Sequence, residues 1–220
     1  MAYSRGSSNN IIVGAAALFT YNDGALAQTI GTAGGPLPAF EVATSYKDTL
    51  ADDNDFTNVG YTSNGIELTF QPSFGEVQVD QVLDVARLFK DGMQVSLATS
   101  FAEATLENLL VAVAANVNDL DDLTTSTAIG TGSQSFDINS GELGDVPLER
   151  GIVAVGPGTG DPSTEKERIY IGYRALSIEN VVASAKRDAA SMFDVTFRML
   201  PLDDGMYGKI VDRTIPISIP

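Results

Sequence analysis

The sequence predicts a mainly β protein: a β-sandwich or barrel-like subunit with one flanking α-helix and long loops or arms. Two patterns predict this class. Several segments alternate apolar and polar residues with the period of a half-buried strand, as at Phe193, Val195, Phe197 and Met199. A helical period is found only in residues 99–115. With 220 residues, 44% of them hydrophobic, the chain can bury one core, and we assign 1–220 to a single domain.

The helical segment reads "TSFAEATLENLLVAVAA". Ser100 and Glu103 have the spacing of a capping box, in which each side chain satisfies a backbone N–H of the first turn. Apolar residues follow at helix spacing; these are Leu106, Leu109, Leu110 and Val113. We therefore predict a helix that begins near Ser100 and packs against the sheet.

The N-terminal segment resembles a secretory signal, because a basic start precedes an apolar run and small residues at Ala25 and Ala27. The polar "GSSNN" and Asp23 interrupt that pattern, so we predict a strand within 11–19 instead.

Further on, Asn64 and Gly65 form a dipeptide typical of a tight turn.

Two segments are predicted to lack regular structure over most of their length. Residues 20–55 include "TIGTAGGPLP" and read as an extended N-terminal arm or connector. Residues 116–165 are polar, acidic and rich in Gly, Ser and Thr, and read as a long loop with at most a short strand. Arms of this kind can reach a neighbouring subunit.

The stretch "GIVAVGPGTGD" at 151–161 resembles a nucleotide-binding loop. A dinucleotide fingerprint needs glycines at its first, third and sixth positions and a helix behind them. Gly156, Gly158 and Gly160 place the third glycine one residue early, and the residues that follow alternate like a strand. We interpret the stretch as a loop that joins two strands and predict no cofactor.

Reactive side chains are scarce. The chain has no His, Cys or Trp, which removes the commonest general base, the thiol nucleophile and the usual zinc ligands. Asp119, Asp121 and Asp122 invite a calcium interpretation, but the glycine and terminal glutamate of the helix-loop-helix site are missing at their offsets. We predict neither an enzyme nor a metal site.

Charge is distributed unevenly. Residues 1–149 carry 20 acidic and 4 basic side chains, whereas 150–220 carry nine of each, and the formal net charge of the whole chain is −16. Nucleic-acid binding depends on basic side chains that displace counterions from phosphates. The charge therefore argues against ordinary nucleic-acid binding, although an acidic surface also has the simpler role of keeping a protein soluble.

The segment "FGEVQVDQVLD" at 74–84 alternates acidic or polar residues with apolar ones. Glu76, Gln78 and Asp80 share one face of a strand, and Val77 and Val79 share the other. The pattern predicts a half-buried strand whose wet face is acidic.

Four segments, taken in order, resemble the tail tube (major tail) proteins of tailed bacteriophages. The resemblance is weakest in 20–55 and 116–165, and its motifs are patterns of packing and turns rather than of chemistry. The segments are "IIVGAAALF", "VGYTSNGIEL", "VDQVLDVARLFKDGMQVSLATSFAEATLENLLVAVA" and "FDVTFRMLPLDDGMYGKIVDRTIPI".

The resemblance implies a structural virion protein. Six subunits would close into a ring with a continuous inner β-barrel, and rings would stack into a hollow tube for DNA delivery. Implied partners are further copies of the chain, a tape measure protein, and tail terminator and baseplate or tail-tip proteins. Assembly would occur in the host cytoplasm without a membrane anchor, and DNA would pass through without specific binding.

Within that picture, Glu76, Gln78 and Asp80 are the candidate lumen-facing residues, because an acidic wall would repel DNA rather than hold it. A face that meets solvent on the outside is the alternative for these three residues. An adhesive or carbohydrate-binding β-sandwich is the alternative function, and the absence of Trp counts against it. A carboxylate-based hydrolase is a third class, for which no acid pair on one rigid element was found.

Overall fold

A computed structural model describes most of the chain. The described residues are 12, 14–21, 24–26, 28, 30, 36–80, 84–115, 120–122, 133–138, 147–159, 165–183, 187 and 190–215. The mainly β class predicted from the sequence is confirmed for this part of the chain, in which ten strands and two short helices are found.

The elements follow one another in a mostly β order. The strands are β1 (Ala17–Tyr21), β2 (Phe56–Asn58), β3 (Thr62–Val77), β4 (Arg87–Phe101), β5 (Leu120–Asp122), β6 (Gln134–Phe136), β7 (Arg150–Pro157), β8 (Glu165–Ser177), β9 (Phe193–Met199) and β10 (Gly208–Ile215). The helices are α1 (Tyr46–Ala51) and α2 (Leu106–Ala112).

Eight strands form one antiparallel sheet in the order β2-β1-β7-β8-β9-β4-β3, and β10 also pairs with β8. The sheet divides along β8. Residues 165–172 of β8 pair with β10, whereas 175–177 pair with β9. One wing of the sheet therefore continues through β9 into β4 and β3, and a second wing consists of β10 alone.

The centre of the sheet is buried on both faces. In β7, Ile152 and Ala154 belong to one apolar cluster, and Val153 and Val155 belong to another on the opposite face. The continuous apolar run "IVAV" suits a strand that is covered on both sides. In β9 only one face is buried, so the alternation that begins at Phe193 is confirmed.

The second cluster is covered by the connector that precedes β2. Leu37, Tyr46 and Leu50 are almost completely buried there against β7 and β8. The connector contains α1, which corrects the prediction of a single helix. The described part of the connector packs on its own sheet, so it contributes to the core of this subunit.

Helix α2 begins later than predicted. Ser100 is the penultimate residue of β4, where its hydroxyl hydrogen-bonds the Asp194 carboxylate, so the predicted capping box at Ser100 and Glu103 is wrong. The N-cap is Thr105, whose side-chain oxygen accepts from the Asn108 N–H at 3.2 Å. Because β4 continues to Phe101, the chain needs several residues to turn before a helix can begin.

The Asn64-Gly65 dipeptide lies inside β3 rather than in a turn between strands. Both residues have positive φ, 62° and 69°, a conformation that Asn and Gly tolerate best. The pairing register steps from Ser63 opposite Ser100 to Ile66 opposite Thr99. The two residues therefore form a β-bulge, which corrects the predicted tight turn.

The long acidic loop is shorter than predicted at its C-terminal end, because β7 occupies 150–157. Within 116–149, β5 and β6 form a separate two-stranded sheet. The side chains of Asp121 and Asp122, and all of Asp119, lie outside the described residues.

The glycines of "GIVAVGPGTGD" serve strand packing. The predicted loop is wrong over most of the stretch, because residues 151–157 belong to β7 itself, which pairs antiparallel with the next strand, β8. A Cβ at Gly158 would lie 3.0 Å from the Cβ of Lys166, and one at Gly156 would lie 3.2 Å from that of Ala16. Close approach of neighbouring chain segments explains these two glycines, and Gly160 lies outside the described residues.

Candidate assembly surface

The far ends of β3 and β4 form a two-stranded ribbon, residues 69–77 and 87–92, which we call the β3–β4 ribbon. Nearly every residue in it is exposed, on both faces. Its large apolar side chains are 40 to 59% exposed; they are Phe70, Phe74, Val77, Leu88 and Phe89. Two adjacent strands with no covering layer are marginally stable on their own in water, so this ribbon is a surface suited to a partner.

The pairing register assigns these side chains to two faces. Phe70 and Phe74 share a face with Leu88, because Leu88 lies opposite Glu76 and directly paired residues project to the same side. Val77 and Phe89 lie on the other face, since Phe89 is opposite Gly75. Both faces of the ribbon therefore present apolar groups to solvent.

Two irregularities shape the ribbon. The register shifts between Ser73 and Phe74, where β4 contributes the additional residue Asp91. A β-bulge of this kind bends the strand and increases its twist. Across the strands, a Cβ at Gly75 would lie 2.5 Å from Cζ of Phe89, so the phenyl ring lies over the glycine.

All three candidate lumen residues lie at the end of this ribbon. Glu76 is the penultimate residue of β3, and Gln78 and Asp80 follow the strand; all three are exposed. The predicted half-buried strand is wrong, however. Val77 and Val79 are each 40% exposed, and β3 ends before Gln78. What the three polar side chains face in an assembly stays a prediction.

An open apolar groove of about 290 Å³ lies between the base of the ribbon and β10. Phe70 and Met93 line it on the ribbon side, and Met206 and Ile210 line it on the other. The Tyr207 hydroxyl donates to the Met93 carbonyl at 2.8 Å and joins the two sides. Sequence periodicity could not predict this groove, because it forms between residues more than a hundred positions apart.

The three-residue strand β2 ends the large sheet on one side, and two longer strands of that sheet also have one side without a strand partner among the described residues. These are β3, at the end of the sheet order, and β10, which pairs with β8 alone. They are 16 and 8 residues long. Unpaired backbone N–H and C=O groups at such edges are templates for pairing with another chain.

A buried polar cluster fixes the connector to the sheet. The Glu167 carboxylate accepts from the Ser45 hydroxyl at 2.8 Å and from the Tyr46 N–H at 3.1 Å. Arg213 pairs with the same carboxylate, 3.2 Å between Nε and Oε1, and donates to the Glu41 carbonyl at 2.7 Å. The charged groups of this cluster bind each other and polar groups of the connector, so we assign the cluster a structural role.

Other cations on the C-terminal strands are also paired. Arg168 makes two hydrogen bonds to Asp212, at 2.5 and 2.7 Å, and this bond holds the pKa of the Asp212 carboxyl below its usual value. Arg174 binds Glu149 in the same two-point manner. Inside the sheet, burial lowers the pKa of Arg150, whose guanidinium donates to the carbonyl of Ala115, three residues after the end of α2.

No group of three or more potential metal-ligating residues is found in the described part of the chain. No helix among those residues is long and apolar enough to cross a membrane. No protein-family model matches the sequence, and no curated protein matches it significantly.

Proposed function

We propose that this protein is a structural subunit that polymerises into the tail tube of a bacteriophage virion, and that it is not an enzyme. The observation that carries the proposal is the β3–β4 ribbon, because its exposed Phe74, Leu88 and Phe89 side chains need a partner. The order of sequence segments that resembles tail tube proteins supports the same assignment.

In the proposed assembly, six copies close into a ring and rings stack into a tube. The long unpaired side of β3 supports ring closure, since strands that pair around a closed barrel leave no free edge. The exposed ribbon supports contact between rings. A contact between two different surfaces of the same chain gives rings or open polymers, depending on whether its rotation closes.

The charge of the chain suits a conduit for DNA. DNA carries about one negative charge per 1.7 Å of its axis, so a basic wall would bind it and an acidic wall would repel it. Glu76 in the ribbon and Asp80, which follows β3, are both exposed and would supply such a wall if this end of the ribbon lines the channel. Tape measure, tail terminator and baseplate or tail-tip proteins are the other proposed partners.

Electron microscopy and sedimentation of the purified protein test this function. Rings or tubes are expected from the wild-type chain, whereas a dispersed monomer at all concentrations would contradict the proposal. The variant Phe74→Ser with Leu88→Ser should fold normally and fail to polymerise, because both side chains are exposed on the ribbon.

A matched control replaces two exposed apolar residues elsewhere. Val42 and Val182 are more exposed than any apolar side chain of the ribbon, and neither belongs to it. The variant Val42→Ser with Val182→Ser should polymerise like the wild type. If both double variants lost polymerisation equally, the ribbon would not be the assembly surface.

A further inference from the structure

The β-bulge at Asn64 and Gly65 has the features of a site for spontaneous backbone chemistry. Asn64 is exposed and precedes a glycine, which has no side chain to hinder attack by its own backbone nitrogen. This is the one Asn-Gly dipeptide of the sequence. Around Gly65, no atom outside its chain neighbours would lie within 4 Å of an added Cβ.

The pairing of β3 with β4 leaves this dipeptide out of the regular ladder. Ser63 and Ile66 have Cα partners on β4, and the two residues between them have none in the register. Ladder pairing normally restrains a strand residue on both sides. A side-chain contact does hold the dipeptide: the Thr99 hydroxyl donates to the Gly65 carbonyl at 2.8 Å.

We propose that Asn64 is a deamidation site in the folded protein. The Gly65 nitrogen attacks Cγ of Asn64, the bond from Cγ to the side-chain nitrogen breaks, and ammonia leaves. The resulting five-membered succinimide is opened by water at either carbonyl and gives aspartate or isoaspartate. In balance, one amide and one water become one carboxylate and one ammonium ion, without an oxidant or a reductant.

The product would change the surroundings of the bulge. Glu67 and Asp194 line the same surface depression as Asn64, so a new carboxylate adds repulsion among like charges. Isoaspartate also inserts a methylene into the backbone of β3. Both changes act where β3 meets the end of β4, and they accumulate with the age of the protein.

Peptide mapping by mass spectrometry tests the proposal. The wild-type chain is incubated at mildly alkaline pH in its folded state and, in parallel, unfolded in urea. The peptide that contains Asn64 should gain the mass difference between an amide and an acid in the folded sample, at a rate close to that of the unfolded one. It should do so before any other asparagine peptide, with isoaspartate as part of the product.

Conversion confined to the unfolded sample would overturn the proposal, because the fold would then protect the site. Asn64→Gly is the matched control: glycine tolerates the positive φ of 62° and lacks the amide. This variant should keep the wild-type melting temperature and lose the new acidic species on isoelectric focusing. An acidic species that persisted in Asn64→Gly would assign the chemistry to a different residue.

Discussion

The Glu167 carboxylate and the Arg213 guanidinium form an ion pair inside the protein, with side chains only 5 and 10% exposed. The pair joins β8 to β10, and its hydrogen bonds to Ser45, Tyr46 and Glu41 join both strands to the connector. The Arg213 guanidinium also lies 5.2 Å from the centre of the Phe40 ring, within the range of a cation–π contact.

Removing one member of this pair should be strongly destabilising. In Glu167→Gln the arginine charge remains buried without its counter-ion, and loss of one partner of a buried pair costs about 3–5 kcal/mol. Asp212→Asn is the control, since it breaks a pair with Arg168 whose side chains are 27 and 53% exposed, and partly exposed pairs contribute less than buried ones. Urea denaturation compares the two; equal losses would mean that Glu167 is not a buried anchor.

Stability should also fall at alkaline pH through Tyr46. Burial, and then the nearby Asp53 carboxylate, raise the pKa of this phenol above its usual value. The folded state thus holds the proton more tightly than the unfolded state, so its contribution is complete below the unfolded pKa of about 10 and is lost as pH rises above it.

Tyr46→Phe should therefore flatten the decline of melting temperature above that pH. It should also cost about 1 kcal/mol at neutral pH, because the hydroxyl donates to the Pro38 carbonyl at 3.1 Å. Part of the alkaline decline should remain, since burial raises the pKa of Tyr173 as well. Tyr61→Phe, at a side chain 80% exposed, is the matched control for loss of a tyrosine hydroxyl. A decline in Tyr46→Phe as steep as in the wild type would remove Tyr46 as the cause.

The short helix α2 offers a third test of packing. Leu110 is completely buried and Val113, at the end of the helix, is 45% exposed. Leu110→Ala should destabilise the protein by about 2–5 kcal/mol, and Thr105→Ala by about 1 kcal/mol through loss of the N-cap. Val113→Ala should have little effect. Thermal melts in which Leu110→Ala matched Val113→Ala would show that α2 is not part of the core.

Local periodicity predicted which segments form strands. It did not predict which faces of those strands are buried. Alternation at Phe193 and Val195 correctly indicated one buried face, because these side chains pack into the first apolar cluster. The same alternation at Glu76 and Val77 indicated a half-buried strand, yet that part of β3 is exposed on both sides. A period of two shows that the faces differ, and only the tertiary structure decides whether one of them is covered.

The conformational preferences of individual residues were predicted better than the structural elements in which those residues lie. Asn64 and Gly65 do adopt the positive φ that their identities favour, but in a bulge rather than a turn. Ser100 is of a residue type that is common at helix N-caps, but it lies in β4. The N-cap of α2 is Thr105. Helix α1 was not predicted because its sequence, "YKDTLA", is too short to show an apolar period.

The last prediction concerns charge at the end of the β3–β4 ribbon and rests on the proposed tube. In Glu76→Lys with Asp80→Lys, both replaced residues are exposed, so the fold should survive. Because Glu76 lies opposite Leu88 on the proposed assembly surface, electron microscopy first selects the particles whose tubes have assembled correctly. Each substitution is repeated in every subunit, which would turn the wall basic. At physiological salt, charges act over about 8 Å, a range that lets a wall residue reach DNA in a narrow channel.

Particles assembled with this variant should therefore eject DNA more slowly than wild-type particles, with partial recovery at high salt as phosphate binding weakens. Glu179→Lys with Asp203→Lys is the control, because it makes the same charge change at exposed positions that do not belong to the ribbon. Ejection is measured as the release of DNA from purified particles over time. Wild-type kinetics from correctly assembled ribbon-variant particles would show that Glu76 and Asp80 do not line the channel.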